Sequence, residues 1–217
     1  MGEASLSGSG LETFVIPDKV STIPVKLFQN CASLKTVTIP DTVSSIGSYA
    51  FSNCDSLKEI AIPKLTRALP TYLFEGCSSL ETINFHEDIT SIGQCAFKDC
   101  IGLKSVTLPG LISTISDGLF NGCRLLESVT IPSTVSKIQH YSGNGRIFYG
   151  CISLKELLVY PEVPPTSSGS TAGYDYFLAD VHPSLQIKVP AASLEAYKSA
   201  ELWKPFASKI VAIPENE

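Results

Sequence analysis

Charged side chains are scarce in this chain, 17% of its 217 residues, against roughly a quarter in an average soluble domain. Combined with 44% hydrophobic residues, that scarcity excludes a disordered segment, which needs low hydrophobicity and high charge. Basic residues are also few, 16 against 21 acidic ones, for a net charge of −5. The chain therefore lacks the basic footprint that nucleic-acid phosphates demand. No apolar run approaches the roughly 20 residues of a membrane-spanning helix, so no membrane insertion is expected of this segment. Residues 1–10, Met-Gly-Glu-Ala-Ser-Leu-Ser-Gly-Ser-Gly, hold no charged stretch followed by an apolar one. They read as a leader remnant rather than a signal peptide, and say nothing about compartment.

Chemistry-bearing patterns are equally sparse. There are three histidines, His86, His140 and His182, and none stands at ligand spacing from a second histidine or a cysteine. No CxxC pair, Gly-rich phosphate loop or nucleophile elbow is present. No catalytic, metal or cofactor site is expected, and an unrecognised hydrolase ranks third among the readings.

What the sequence has in abundance is repetition. The motif Leu-x-x-Φ-x-Φ-Pro (Φ apolar) begins at Leu11, Leu34, Leu57, Leu80, Leu103 and Leu126, always 23 residues on. The next copy begins at Leu154, a step of 28. An aromatic column follows the same period through Phe28, Phe51, Phe74, Phe97, Phe120 and Phe148. So does a cysteine column through Cys31, Cys54, Cys77, Cys100, Cys123 and Cys151. An aliphatic column runs through Ile23, Ile46, Leu69, Ile92, Ile115 and Ile138. A proline column runs through Pro17, Pro40, Pro63, Pro109 and Pro132, with His86 as the exception.

A 23-residue unit lies in the range of leucine-rich repeats. Within one unit, Val37 and Ile39 alternate with Thr36 and Thr38, the pattern of a half-buried strand, and Pro40 ends it. Val43 and Ile46 then face inward, and Ser48–Cys54 reads as a short helical turn burying Ala50, Phe51 and Cys54. Coils of this kind stack about 4.8 Å apart, each burying the apolar edge of the next. The expected fold is a repeat solenoid with one parallel strand per coil. Residues 11–159 form the repeats, six full units and a seventh strand. Residues 160–217 form an irregular loop and a cap with a helix over Ala191–Trp203 and a closing strand near Ile210–Ile213. No matching cap precedes the first repeat, which reads as the continuation of a longer chain.

The unit Leu34-Lys-Thr-Val-Thr-Ile-Pro-Asp-Thr-Val-Ser-Ser-Ile-Gly-Ser-Tyr-Ala-Phe-Ser-Asn-Cys54 resembles the BspA-like leucine-rich-repeat family of bacterial and protist surface proteins. The tail from Val189 through Trp203 to Ile213 is similar to the closing segment of such proteins from gut anaerobes. The resemblance covers residues 11–213 and implies a non-catalytic interaction or adhesion module, secreted or at the cell surface. Some family members are described as adhesins for host matrix proteins or other bacteria. A passive spacer within a longer surface protein is the rival reading. The departures at His86, Leu119 and the expanded sixth unit leave the fold intact and make this chain's surface its own.

Candidate binding residues fall in two groups. Outward strand positions on the concave face include Thr36, Thr38, Glu59, Asn84, Thr107 and Thr130. Beside them runs a column of mixed charge, Glu12, Lys35, Lys58, Glu81, Lys104, Glu127 and Lys155, which suggests cross-rung pairs. The second group is aromatic, Tyr141, Tyr149, Tyr174, Tyr176 and Phe177, toward the C-terminal third, and ranks first because aromatic side chains dominate protein hot spots. The partner is a host or microbial surface protein or glycan, bound by a monomer. The ladder cysteines read as buried free thiols, and Cys95, off the column, as the one reachable by reagent.

Overall fold

The computed structural model describes residues 2–140, 146–169 and 178–214. Each unit makes one coil with three stretches, and like stretches of successive coils stack. The strand face comprises β1 (Thr13–Val15), β3 (Thr36–Thr38), β7 (Ser105–Thr107), β9 (Ser128–Ile131), β11 (Glu156–Val159), β13 (Gln186–Val189) and β14 (Ile210–Ala212). A second row of shorter strands comprises β2 (Thr22–Ile23), β4 (Ser45–Ile46), β5 (Ala68–Leu69), β6 (Ser91–Ile92), β8 (Thr114–Ile115), β10 (Lys137–His140) and β12 (Thr166–Gly169). Every pairing is parallel. The register follows the sequence period. Thr13 faces Thr36, 23 residues on, and Ser128 faces Glu156 across the 28-residue step. Glu156 in turn faces Gln186, so the irregular loop is absorbed as a 30-residue step (186 − 156).

The third stretch is a run of tight turns rather than a continuous helix, for a reason visible in its hydrogen bonds. Alternate N–H groups leave their own coil: those of Tyr49, Phe51 and Asn53 bond to the carbonyls of Thr71, Leu73 and Glu75 in the next one. The remaining N–H groups close three-residue turns, Ser52 to Tyr49 and Cys54 to Phe51. Such a zigzag needs left-handed residues, and two columns supply them. One is Asn30, Asn53, Gly76, Asp99, Gly122 and Gly150, residue types that tolerate positive φ. The other is Lys26, Tyr49, Tyr72, Cys95 and Gly118. Side chains such as tyrosine are held there because the rung-to-rung bonds over-determine the backbone. Residues 4–9, expected to be a leader, continue this ladder: Ala4, Leu6 and Gly8 donate to Val25, Leu27 and Gln29.

Between the three faces lies one continuous core. The phenylalanine column is fully buried and stacks with ring centroids 5.3 to 5.8 Å apart. All seven cysteines are buried free thiols. Each column thiol donates to a carbonyl one coil back: Cys54 to Phe28, Cys77 to Phe51, Cys100 to Phe74, Cys123 to Phe97 and Cys151 to Phe120, at 3.0 to 3.2 Å. The same carbonyls close the turns, so each accepts both a backbone N–H of its own coil and a thiol of the next. Cys95 does not meet the expectation of reactivity: it is 2% exposed, its thiol directed at the Asp117 carbonyl. The Tyr72 side chain and the Asp117 carbonyl beside it cover the thiol.

At the C-terminal end, β13 and β14 add two rungs. The expected helix is shorter than its sequence pattern: α1 spans Leu194–Ser199, because Ala200 reverts to extended backbone. That break swings Trp203 into the core beside Tyr197, edge to face at 5.2 Å. Both then fasten the preceding loop, Tyr197 Oη donating to the Pro161 carbonyl and Trp203 Nε1 to that of Pro165.

Candidate binding face

The strand face is not one sheet. β1 and β3 form a pair, and β7, β9, β11, β13 and β14 form a five-stranded sheet. Between them, residues 59–62 and 82–85 of the third and fourth coils join neither. Among the described residues their one point of pairing is the bridge between Ala61 and Asn84. The residue types account for this. Coils five and six carry Ser-Val-Thr at these positions, whereas coil three carries Glu59-Ile60-Ala61 and coil four Asn84, which are poor strand formers. Phe85 stands where neighbouring coils have leucine or isoleucine, its ring edge-on to Phe97 at 6.0 Å.

Where the ladder opens, a groove forms. One part, about 680 Å³, is lined by Lys35, Thr36, Ser56, Lys58, Glu59, Ser79, Glu81 and Thr82. A second part, about 630 Å³, shares Thr36, Glu59 and Thr82 and reaches Val37, Ile39, Ile60, Ile62, Phe85 and His86 on its floor. The floor is apolar and touched by solvent: Ile60 and Ile62 are 7% and 8% exposed, while Val129 and Ile131 in the closed sheet are at 0%. Around the rim the expected cross-rung pairs exist in part. Lys35 meets Glu12 at 2.9 Å and Lys104 meets Glu81 at 3.6 Å. Lys58 and Glu59, both exposed, have no ion-pair partner among the described residues. His86 Nε2 donates to the Thr66 carbonyl at 3.0 Å. With the proton on Nε2, Nδ1 is a buried acceptor without a hydrogen-bond partner among the described residues.

Of the residues singled out from sequence, the structure brings Thr36, Thr38, Glu59 and Asn84 to this groove. Thr107 lines its continuation with Asn84 and His86. Thr130 sits apart on the closed sheet, paired in register with Leu158. Tyr149 belongs to the turn ladder, half-buried with the Arg146 guanidinium 4.6 Å from its ring centre. Tyr141, Tyr174, Tyr176 and Phe177 lie outside the described residues. Sequence reasoning passed over the floor residues and Lys64, although Ala61, Asn84 and His86 each break a column in these two coils. A second feature it missed is the stacked pair Tyr49–Tyr72 on the turn side, at 4.7 Å, with the Lys26 ammonium 5.7 Å from the Tyr49 ring.

Parallel strands stacked at a 23-residue period, turns opposite them and a spine of phenylalanines define a leucine-rich-repeat solenoid. The chain belongs to the BspA-type leucine-rich-repeat family, whose model matches residues 1–125 and 69–172 with six copies of the repeat. Among solved structures it is similar to the leucine-rich-repeat protein of T. pallidum, at 31% identity, 77% of this chain, 78% of that one and a TM-score of 0.63. It also resembles a leucine-rich-repeat protein from Bacteroides ovatus, at 24% identity and TM-score 0.64, over 93% of this chain and 48% of that one. A leucine-rich cell surface protein from Faecalibacterium prausnitzii matches at 21% identity and TM-score 0.54, over 86% of this chain. The chain spans 62% of that protein's length. No curated protein matches the chain.

Proposed function

We propose that the chain is a non-catalytic interaction module of a secreted or cell-surface protein, and that it holds a protein or glycan partner on its strand face. The observation that carries this reading is the groove over coils two to five, where Thr36, Thr38, Glu59, Asn84 and Thr107 ring a solvent-touched apolar floor. A concave apolar site with a few convergent polar groups is the usual form of a binding site. The likeness to the cell surface protein of F. prausnitzii supports a bacterial surface setting.

The test is a pulldown of host and microbial surface material on the purified chain, as wild type, as Thr36→Arg/Asn84→Arg and as Tyr174→Ala/Tyr176→Ala/Phe177→Ala. Circular dichroism melts establish that each variant is folded. A partner retained by wild type and lost with the arginine pair places binding in the groove. Loss with the aromatic triple instead moves the site to the C-terminal loop. No partner for any form leaves the spacer role, a rigid rod that carries another domain.

A further inference from the structure

We infer that the solenoid opens in three blocks rather than as one rod: coils one and two, coils three and four, and coil five through the cap. Such opening needs no partner and goes beyond the interaction reading above. Three observations carry it.

The first is where the sheets stop. β1 pairs only with β3 and β2 only with β4, which ties coil one to coil two on both strand rows. β5 pairs only with β6, and the bridge between Ala61 and Asn84 joins the same two coils. From coil five onward, β7, β9, β11, β13 and β14 form one sheet and β8, β10 and β12 another. Among the described residues, no strand pairing crosses from coil two to coil three or from coil four to coil five on either row. The two rows are separate sheets, yet they break at the same two places.

The second is a cause in the sequence. At one position of the second row, successive coils carry Pro24, Gly47, Pro70 and Gly93. The Gly47 N–H donates to the Ile23 carbonyl and the Gly93 N–H to that of Leu69, both at 2.8 Å. Each glycine lies hard against the coil before it, where a Cβ would meet the backbone nitrogen of Val25 or Thr71 at 2.3 or 2.5 Å. Pro70 stands where the same bond to the Ile46 carbonyl would be made, and it has no N–H to give. The alternation of proline and glycine therefore joins these coils in twos. Between coils four and five, the Ser116 hydroxyl rather than a backbone N–H meets the Ile92 carbonyl.

The third is what remains across the breaks. The turns stay fastened: Phe51 donates to the Leu73 carbonyl and Phe97 to that of Leu119, both at 3.1 Å. The rings stay stacked, Phe51 on Phe74 and Phe97 on Phe120, both at 5.8 Å. Away from the turns and core, the first break is crossed by the bond from Thr66 Oγ1 to the Val43 carbonyl, and the second by the exposed pair of Lys104 and Glu81. A solenoid's stability is close to a sum of coil terms and neighbour-interface terms, so it opens first at its weakest interfaces. Interfaces that lack both strand ladders are the weakest of this stack.

The experiment is native-state hydrogen exchange on the whole chain at rising urea, read by mass spectrometry, for wild type and Pro70→Ala. Three groups of amides are followed: β3 with β4, β5 with β6, and β9 with β11. In wild type each group should share one isotherm, with the three isotherms distinct well below the global transition. The first two groups should exchange about tenfold or more faster than the third, as the loss of several backbone hydrogen bonds implies. Pro70→Ala keeps the Cβ and supplies the missing N–H. It should slow β3 and β4 about fivefold, the worth of one backbone hydrogen bond, and leave β9 and β11 unchanged. A single isotherm through β3, β5 and β9 overturns the inference, as does a border that falls inside a block. Unchanged exchange of β3 and β4 in a folded Pro70→Ala overturns the assignment of the first break to that proline. The wild-type isotherms decide the blocks even where the variant does not fold.

Discussion

The two halves of the strand face carry the same repeat and differ in whether it closes. In β7 through β14, five strands pair without interruption, Val129, Ile131, Leu157 and Val159 are sealed from water, and Lys188 meets Glu156 at 2.7 Å across the surface. In coils three and four the same columns persist, yet the ladder shrinks to one bridge and the floor shows through. On the turn side nothing changes: rung-to-rung bonds and stacked phenylalanines cross the boundary without a break. The difference teaches that this solenoid is held by its spine and turns. Strand pairing is a local option, exercised where Ser, Thr and Val favour it and relinquished where Glu59, Ala61 and Asn84 do not.

The largest effect that could break this comparison is a matched pair of truncations. Ile131 and Ile62 occupy the same column, one sealed and one touched by solvent. Buried Ile→Ala substitutions cost about 2–5 kcal/mol, more where the site cannot relax. Ile131→Ala should fall at the upper end of that range and Ile62→Ala at the lower, measured by urea unfolding. Equal costs would mean that the two halves are packed alike.

A second test uses pH. Burial pushes the thiols of Cys100 and Cys123 well up and that of Cys151 up to about 12. A raised pKa means that the folded state keeps protons the unfolded chain gives up. The stabilisation is complete below the unfolded thiol's pKa, near 8.5, and is lost as pH rises through the folded values. Each such thiol should remove about 1.4 kcal/mol per pH unit in that window. Urea melts at pH 8 and 10 under reductant should show the drop, and Cys123→Ser should lessen it.

Ion pairs separate the halves more gently. Lys188, with its side chain mostly covered, should cost about 1.5–3 kcal/mol when changed to alanine, as a charge-assisted hydrogen bond does. Lys35→Ala, at an exposed pair, should cost about 0–1 kcal/mol and lose even that in high salt. The smallest expected change is a gain. Ala61→Thr with Asn84→Thr restores the strand-forming pattern and should stabilise by at most about 1 kcal/mol. Hydrogen exchange at residues 59–62 would slow with it. If those amides in wild type already exchange as slowly as those of Val129 and Thr130, the ladder is closed in solution and the contrast disappears.

The solenoid itself was legible because stacking forces each column to keep one chemistry: the Leu, Phe, Cys and Ile periods state the fold outright. The cap helix was legible in kind and overlong in extent, since apolar spacing through Ala200 does not reveal that its backbone turns out of the helix. The Asn/Asp/Gly column at residues 30, 53, 76, 99, 122 and 150 announced left-handed turns and was read as part of a helical turn instead. Lys26, Tyr49, Tyr72 and Cys95 give no such notice, because their conformation is imposed by the neighbouring coil. The groove was the least legible feature. Glu59, Ala61, Asn84 and His86 each look like tolerated variation, and only two adjacent coils failing to pair together make an opening.

The unbroken turn side also sets how the molecule yields to force. Between coils three and four the turns and the β5–β6 pair are fastened, while the strand face holds one bridge, so bending is easiest away from the turns. Such bending turns about an axis across the stack at the phenylalanine spine and opens the strand face. A load that bends the stack would widen or narrow the groove before it broke a turn.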